Sequence, residues 1–167
     1  MRMVLIWLAA AFVFANFYAM IAEKQSLLRH GQTAFLALQP VDPRSIMQGD
    51  YMDLNYAVMN RLNMDHFHEQ EVHPASGAII IHLDDRGIGA FVRYDEGQPL
   101  GPGEHRLKYH HGGWRAVIGA ESYFIPEGTG PEFAQAAYGE LKLEPDGTPL
   151  IIALCDKDLK RLGAAQR

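Results

Sequence analysis

Met3 to Ala22 is a run of twenty residues without a single charge, and it limits this chain more than any other feature. At about 1.5 Å per residue a helix of that length spans about 30 Å, the thickness of a bilayer's hydrocarbon core. Trp7, Phe12, Phe14, Phe17 and Tyr18 add aromatic bulk, and Asn16 is the only strongly polar side chain. A buried core helix is a poor reading, because soluble helices seldom run so far without a polar face. A cleaved signal peptide is the competitor, but its apolar region is normally about 7–15 residues. The small-residue site ending at Ala22 also has Met20 three residues from the cut. The expectation is therefore an uncleaved signal-anchor over residues 1–22, inserted through Met3–Ala22.

The charges flanking this run are nearly balanced: Arg2 before it, then Glu23, Lys24 and Arg29 after it. Orientation then follows from the long tail, which a single anchor usually sends across the membrane. Only Arg2 of the 15 basic residues precedes the tail, so the tail carries 14 basic and 20 acidic residues, a net charge of −6. A tail of that charge does not suit nucleic acid or an anionic lipid surface, which both need basic patches. Cys155 is the only cysteine, which excludes an internal disulfide and zinc-finger spacing. It follows the apolar run Leu150–Leu154 and reads as a small core residue.

The tail reads as mainly β (α+β): a single compact domain of antiparallel hairpins with one or two short helices, over residues 33–162. A stalk or a frayed helical continuation covers 23–32, and 163–167 form a tail. Thr33–Leu38 is a predicted strand. After the breaker run Pro40-Val41-Asp42-Pro43-Arg44 comes Gly49-Asp50, a turn that feeds an alternating strand. Met52, Leu54 and Tyr56 share one face of it; Tyr51, Asp53 and Asn55 share the other. Leu54, Val58 and Leu62 then repeat every four residues, as in a short helix. Asp65–Pro74 is polar and reads as a loop.

Ala78–Leu83 and Ile88–Tyr94 form a predicted hairpin about Asp84-Asp85-Arg86-Gly87. Glu104–His110 and Trp114–Ile118 form a second, with His111-Gly112-Gly113 as its turn. Glu121–Ile125 is a further short strand. Pro131 suits the first position of a helix whose stripe is Phe133, Ala136 and Ala137, and Gly139 stops it. Glu140–Glu144 and Pro149–Leu154 make the last hairpin, about Pro145-Asp146-Gly147.

Gly49-Asp50-Tyr51-x-x-Leu54-x-Tyr56 resembles the signature of the bacterial GDYXXLXY family. Val41-Asp42-Pro43-Arg44-Ser45 is similar to the family's approach to it. Its later motifs are similar to Tyr123-Phe124-Ile125-Pro126-Glu127-Gly128, to Ala137-Tyr138-Gly139-Glu140-Leu141, and to Asp146-Gly147 followed by Leu150–Leu154 and Asp156. The resemblance implies a single-pass protein of the bacterial inner membrane with its C-terminal domain in the periplasm. It also implies a neighbour, since members tend to be encoded beside or fused to multi-pass membrane proteins. It implies no activity. Relatives often carry a basic residue before the tyrosine matching Tyr138, where this chain has Ala137, so that pair is not expected to bind an anion.

Two chemical alternatives stand beside a non-catalytic accessory or interaction domain. Pro43–Tyr51 resembles the nucleophile turn of signal-peptidase and LexA-type serine peptidases, which need a serine activated by a lysine. Here Val41 holds the serine's place, Ser45 is out of register, and the next lysine is Lys108, so the β domain is expected to be inactive as a peptidase. The second alternative is a metal-binding module of His66, His68 and His73 with Glu69 and Glu71, whose ligand types suit zinc or copper. A solvated polar loop accounts for the same composition, and no H-E-x-x-H motif is present. The reading leans away from an enzyme and calls for no cofactor. The candidate contact residues are Gly49, Asp50, Tyr51, Leu54, Tyr56, Tyr123, Glu127 and Tyr138. Each has a structural role open to it as well: Asp50 can cap its turn, and Glu127 can sit before a helix start.

Overall fold

The computed structural model describes residues 2–39, 51–67, 75–112, 115–126 and 128–163. The chain divides into two packing units, Met1–Gly31 and Gln32–Arg167. The first is one helix, α1 (Arg2–His30). It does not stop where the charge-free run ends: Gln25–His30 continue it, the second of the two alternatives for that stretch. Ile6–His30 is long and apolar enough to cross a membrane. Trp7, Phe12, Phe14, Phe17 and Tyr18 are all exposed on it. Asn16 donates its side-chain amide to the Phe12 carbonyl one turn back, at 2.8 Å.

The second unit is mainly β with a few short helices. Its strands are β1 (Gln32–Ala37), β2 (Tyr51–Asp53), β3 (Ser76–Leu83), β4 (Gly89–Tyr94), β5 (Glu104–Gly112), β6 (Arg115–Val117), β7 (Ser122–Phe124), β8 (Tyr138–Leu143) and β9 (Pro149–Cys155). Among the described residues they pair antiparallel in three sheets, ordered β1-β8-β9, β2-β7 and β4-β3-β5-β6. The first sheet joins distant parts of the chain, with Gln32 opposite Leu143 and Ala37 opposite Tyr138. The apolar run of β3 fills the middle of the third sheet, where Ile79, Ile80 and Ile81 are fully buried.

Several expectations are corrected. The strand from Tyr51 is regular only to Asp53, and Tyr56 then bridges Leu38. The burial alternation survives beyond the regular strand: Met52, Leu54 and Tyr56 are buried, whereas Tyr51 and Asp53 are exposed. A single 3-10 turn (Ala57–Met59) leads into α2 (Asn60–Phe67), so Asp65–Phe67 are helical rather than loop. The remainder of that predicted loop lies outside the described residues. His111 and Gly112 belong to β5, opposite Ala116 and Arg115, and do not turn the chain.

The largest correction concerns the late helix. α3 spans only Gly130–Phe133, with proline in its first turn as expected. Ala136 and Ala137 lie beyond it, and Gly139 is not its stop. The reason is competition from the sheet: Ala137 donates to the Cys155 carbonyl (2.8 Å) and accepts from the Leu38 amide (2.9 Å). Gly139 sits inside β8, between Leu36 and Leu154. A Cβ there would meet the Tyr56 ring at 3.0 Å and Ile151 Cδ1 at 3.3 Å. It is a glycine of close approach.

The outer face of the β3 sheet is a lattice of ion pairs. Ile80 lies opposite Arg93 on β4 and Arg106 on β5, so the three side chains share a face. Arg93 reaches Glu104 at 2.8 Å and Arg106 reaches Asp95 at 2.7 Å, and their alkyl stems shield Ile80 from water. Lys108 further along β5 pairs with Asp146. The Arg106 hydrogen bond holds the Asp95 carboxyl below its usual range, and the Lys108 hydrogen bond holds that of Asp146 down to about 2.

Two outcomes follow. Carboxyls depressed by folding stabilise the fold above their unfolded values and lose that contribution as protons are taken up. The thermal midpoint should therefore fall between about pH 4 and pH 2, with the Asp146 share reduced by salt because the pair is exposed. Lys108→Met should flatten that decline in a melting series against pH. Separately, Gly139→Ala should destabilise by about 1–3 kcal/mol in chemical denaturation, the usual cost of overpacking a core.

Candidate functional site

The stretches singled out in the sequence meet in one place. β2 lies against β7, with Tyr51 opposite Phe124, Met52 opposite Tyr123 and Asp53 opposite Ser122. The Leu54 amide then donates to the Glu121 carbonyl at 2.6 Å. Tyr56 inserts its ring beside Gly139 of β8 and donates its hydroxyl to the Ala120 carbonyl at 2.7 Å. The first motif is thereby bound to the second through β7 and to the third through Tyr56.

Tyr56 is a neutral donor in this setting. Burial raises its phenol far above the ordinary value, and the nearby Glu121 charge raises it further. Glu121 is occupied in the preceding turn, accepting from the Ile118 amide at 2.5 Å and the Gly119 amide at 2.9 Å. Leu54 is fully buried in the same core cluster as Leu36, Leu107 and Leu141. These two signature residues serve packing.

Tyr51 is different: it is 66% exposed, and Phe124 opposite it is 56% exposed. Their rings meet edge to face with centroids 5.6 Å apart. Next along β2, both carboxylate oxygens of Asp53 accept from a single Arg115 nitrogen, at 3.0 and 3.1 Å. The outward face of β2–β7 is thus an aromatic pair beside a neutralised ion pair. Tyr123, between Phe124 and Ser122, turns inward towards Phe133, with ring centroids 6.0 Å apart.

A second constellation was not foreseen. Glu140 on β8 is a buried charge, 5% exposed, and Arg161 closes on it with both fork nitrogens at 2.6 Å. Cys155, opposite Tyr138 across β8–β9, places Sγ 3.9 Å from the Glu140 carboxylate. Burial first, and then the Glu140 charge, push the thiol up to about 11, so it remains protonated and unreactive. Burial likewise raises the Tyr123 phenol, with Arg161 opposing. The sequence signal was present in Glu140, inside a quoted motif, but its partner lies 21 residues away in a segment that carried no motif.

Gly49, Asp50, Glu127, His68 and His73 lie outside the described residues, as does Ser45. His66 falls on α2. Among the described residues no group of three or more His, Cys, Asp or Glu is placed to hold a metal ion. Lys108, the lysine of the peptidase alternative, is engaged by Asp146 and by Thr148 Oγ1 at 3.3 Å.

Fold and motifs together define a chain with one N-terminal apolar helix and a mainly β unit in which three motif stretches are knitted into one core. The family model described as GDYXXLXY protein matches residues 13–154, and the chain belongs to that family. No curated protein and no solved structure matches it.

Removing the Tyr56 hydroxyl tests the knitting directly. Tyr56→Phe should cost about 1–3 kcal/mol in urea denaturation, because the buried Ala120 carbonyl loses its donor. Leu54→Ala should cost about 2–5 kcal/mol, as a core cavity does.

Proposed function

We propose that this protein is a membrane-anchored, non-catalytic accessory domain, held by α1 in the bacterial inner membrane with its β unit in the periplasm. There it contacts a multi-pass membrane protein. The observation that carries the reading is the division of labour inside the signature. Leu54 and Tyr56 are spent on the core, whereas Tyr51 stands in water against Phe124. Exposed aromatic rings of this size are what interfaces use as anchors, since they supply large contact area at low conformational cost. The net charge points the same way: −6 beyond Ala22 favours a protein over an anionic membrane surface as the contact. The apolar length of α1 and the family's habit of neighbouring multi-pass proteins support placing that contact at the membrane.

A photo-cross-linker at position 51 or 124, used in native membranes, tests it. The expected product is an adduct with an integral protein of several spans, with a further loss of adduct from position 124 in Tyr51→Ala. Tyr51→Ala itself should melt within about 1 kcal/mol of the parent, because an exposed aromatic pair contributes little more. Adducts confined to soluble proteins or to a second copy of this chain would contradict the reading. A reporter active only outside the cytoplasm, fused after Arg167, should be active, and activity of a cytoplasmic reporter there would overturn the topology.

A further inference from the structure

β9 is the edge strand of the β1-β8-β9 sheet. Its outer edge is covered at one end by the chain's own last described residues. The Leu162 amide donates to the Leu154 carbonyl at 2.8 Å, the Asp156 amide to the Lys160 carbonyl at 3.0 Å, and Cys155 bridges Arg161 in antiparallel register. Lys160–Leu162 therefore behaves as a short added strand, a strap reached through the three-residue loop Lys157–Leu159.

That loop repeats the hydrogen bonding of two others. Asp84–Ile88 and Glu144–Thr148 close by the same pair of bonds, and their fourth residues are Gly87 and Gly147, with φ of 78° and 90°. In Asp156–Lys160 the fourth residue is Leu159, at φ 62°. A leucine is disfavoured in that left-handed region, where glycine is not. The closed strap is thus held against a backbone cost that its sister loops avoid, and such segments open more easily than their surroundings.

What holds it is unequal across the contact. Glu140 is built into β8 and buried, whereas the Arg161 side chain is 54% exposed and arrives from the strap. A buried carboxylate left alone is strongly unfavourable, so this edge has a standing demand for a guanidinium, and a two-pronged one fits best. Main-chain pairing along a sheet edge, with one side chain read by a pocket, is how extended peptides are bound by strand addition.

We propose that the β9 edge with Glu140 is a binding site for an extended, arginine-bearing segment of a partner protein, and that Lys160–Leu162 is an internal stand-in which the partner displaces. The inference uses none of the residues of the Tyr51–Phe124 face and stands whether or not that face is a contact. The occupant is set by complementarity: a strand to continue the sheet, and an arginine at the position of Arg161 to meet the acid.

Binding of a labelled peptide reads the site directly. In the full chain in detergent micelles, a fluorescein-labelled peptide Lys-Asp-Leu-Lys-Arg-Leu-Gly should bind Arg161→Gln, by anisotropy, at least tenfold more tightly than it binds the parent, whose own strap competes. The same peptide with glutamine for arginine should bind the variant at least tenfold more weakly. Circular dichroism checks folding. Should Arg161→Gln unfold, Arg161→Lys, which keeps the charge and loses the fork, carries the test with the same peptide pair. Equal binding of the arginine peptide by parent and folded variant, equal binding of both peptides, or binding of neither would overturn the proposal. A parent dimer by light scattering that the arginine peptide dissociates would overturn the separate partner in favour of a second copy.

Discussion

The burial of one phenol ties the β unit together. Tyr56 is too large to fit beside a strand that carries a side chain, and too polar to be buried without an acceptor. The fold meets the first requirement with Gly139, which leaves the ring room against β8. It meets the second with the Ala120 carbonyl, which takes the hydroxyl proton in a bond of 2.7 Å. Because Gly139 lies between β1 and β9, and Ala120 lies two residues before β7, the ring connects the long-range sheet to the short one. A signature of widely spaced tyrosines and glycines is then a packing specification.

Charges are treated in two ways in the same unit. On the outer face of β3–β5 they are paired across strands where water still screens them, and the gain is small for each pair but shelters Ile80. At Glu140 a charge is taken inside, where breaking the pair is far more costly than having it is beneficial. The first arrangement makes the fold sensitive to acid. The second gives the C-terminal segment a specific place to sit, since few other side chains could satisfy that carboxylate.

Much of this was legible in the sequence where the signal was local. Alternation through Met52, Leu54 and Tyr56 correctly separated an inward from an outward face even though regular pairing stops at Asp53. Length and lack of charge marked α1, and β-branched content marked β3. The failures share a cause. Ala136, Ala137 and Gly139 carry helix-stripe and helix-stop signals, but pairing with Leu38 and Cys155 overrides them, and that pairing spans about a hundred residues on the β1 side. Arg161 fell within the predicted β domain but drew no reading of its own, because nothing near it in sequence announces Glu140. Backbone partners distant in sequence leave no periodicity to read. Nor does a glycine reveal from its neighbours whether it turns a chain or admits a ring.

The claim that the three motif stretches form one cooperative unit around Tyr56 is tested most directly by native-state hydrogen exchange against denaturant. Three amides report it: Leu54, bonded to Glu121 in the first stretch; Met52 or Tyr123 in the β2–β7 pair; and Ala137, bonded to Cys155 in the third. The account predicts that Leu54 and Ala137 exchange only through the same global opening, with equal free energies and equal denaturant dependence. Exchange of the β2–β7 amides and Leu54 through a local opening of much lower free energy, with Ala137 still protected, would contradict it.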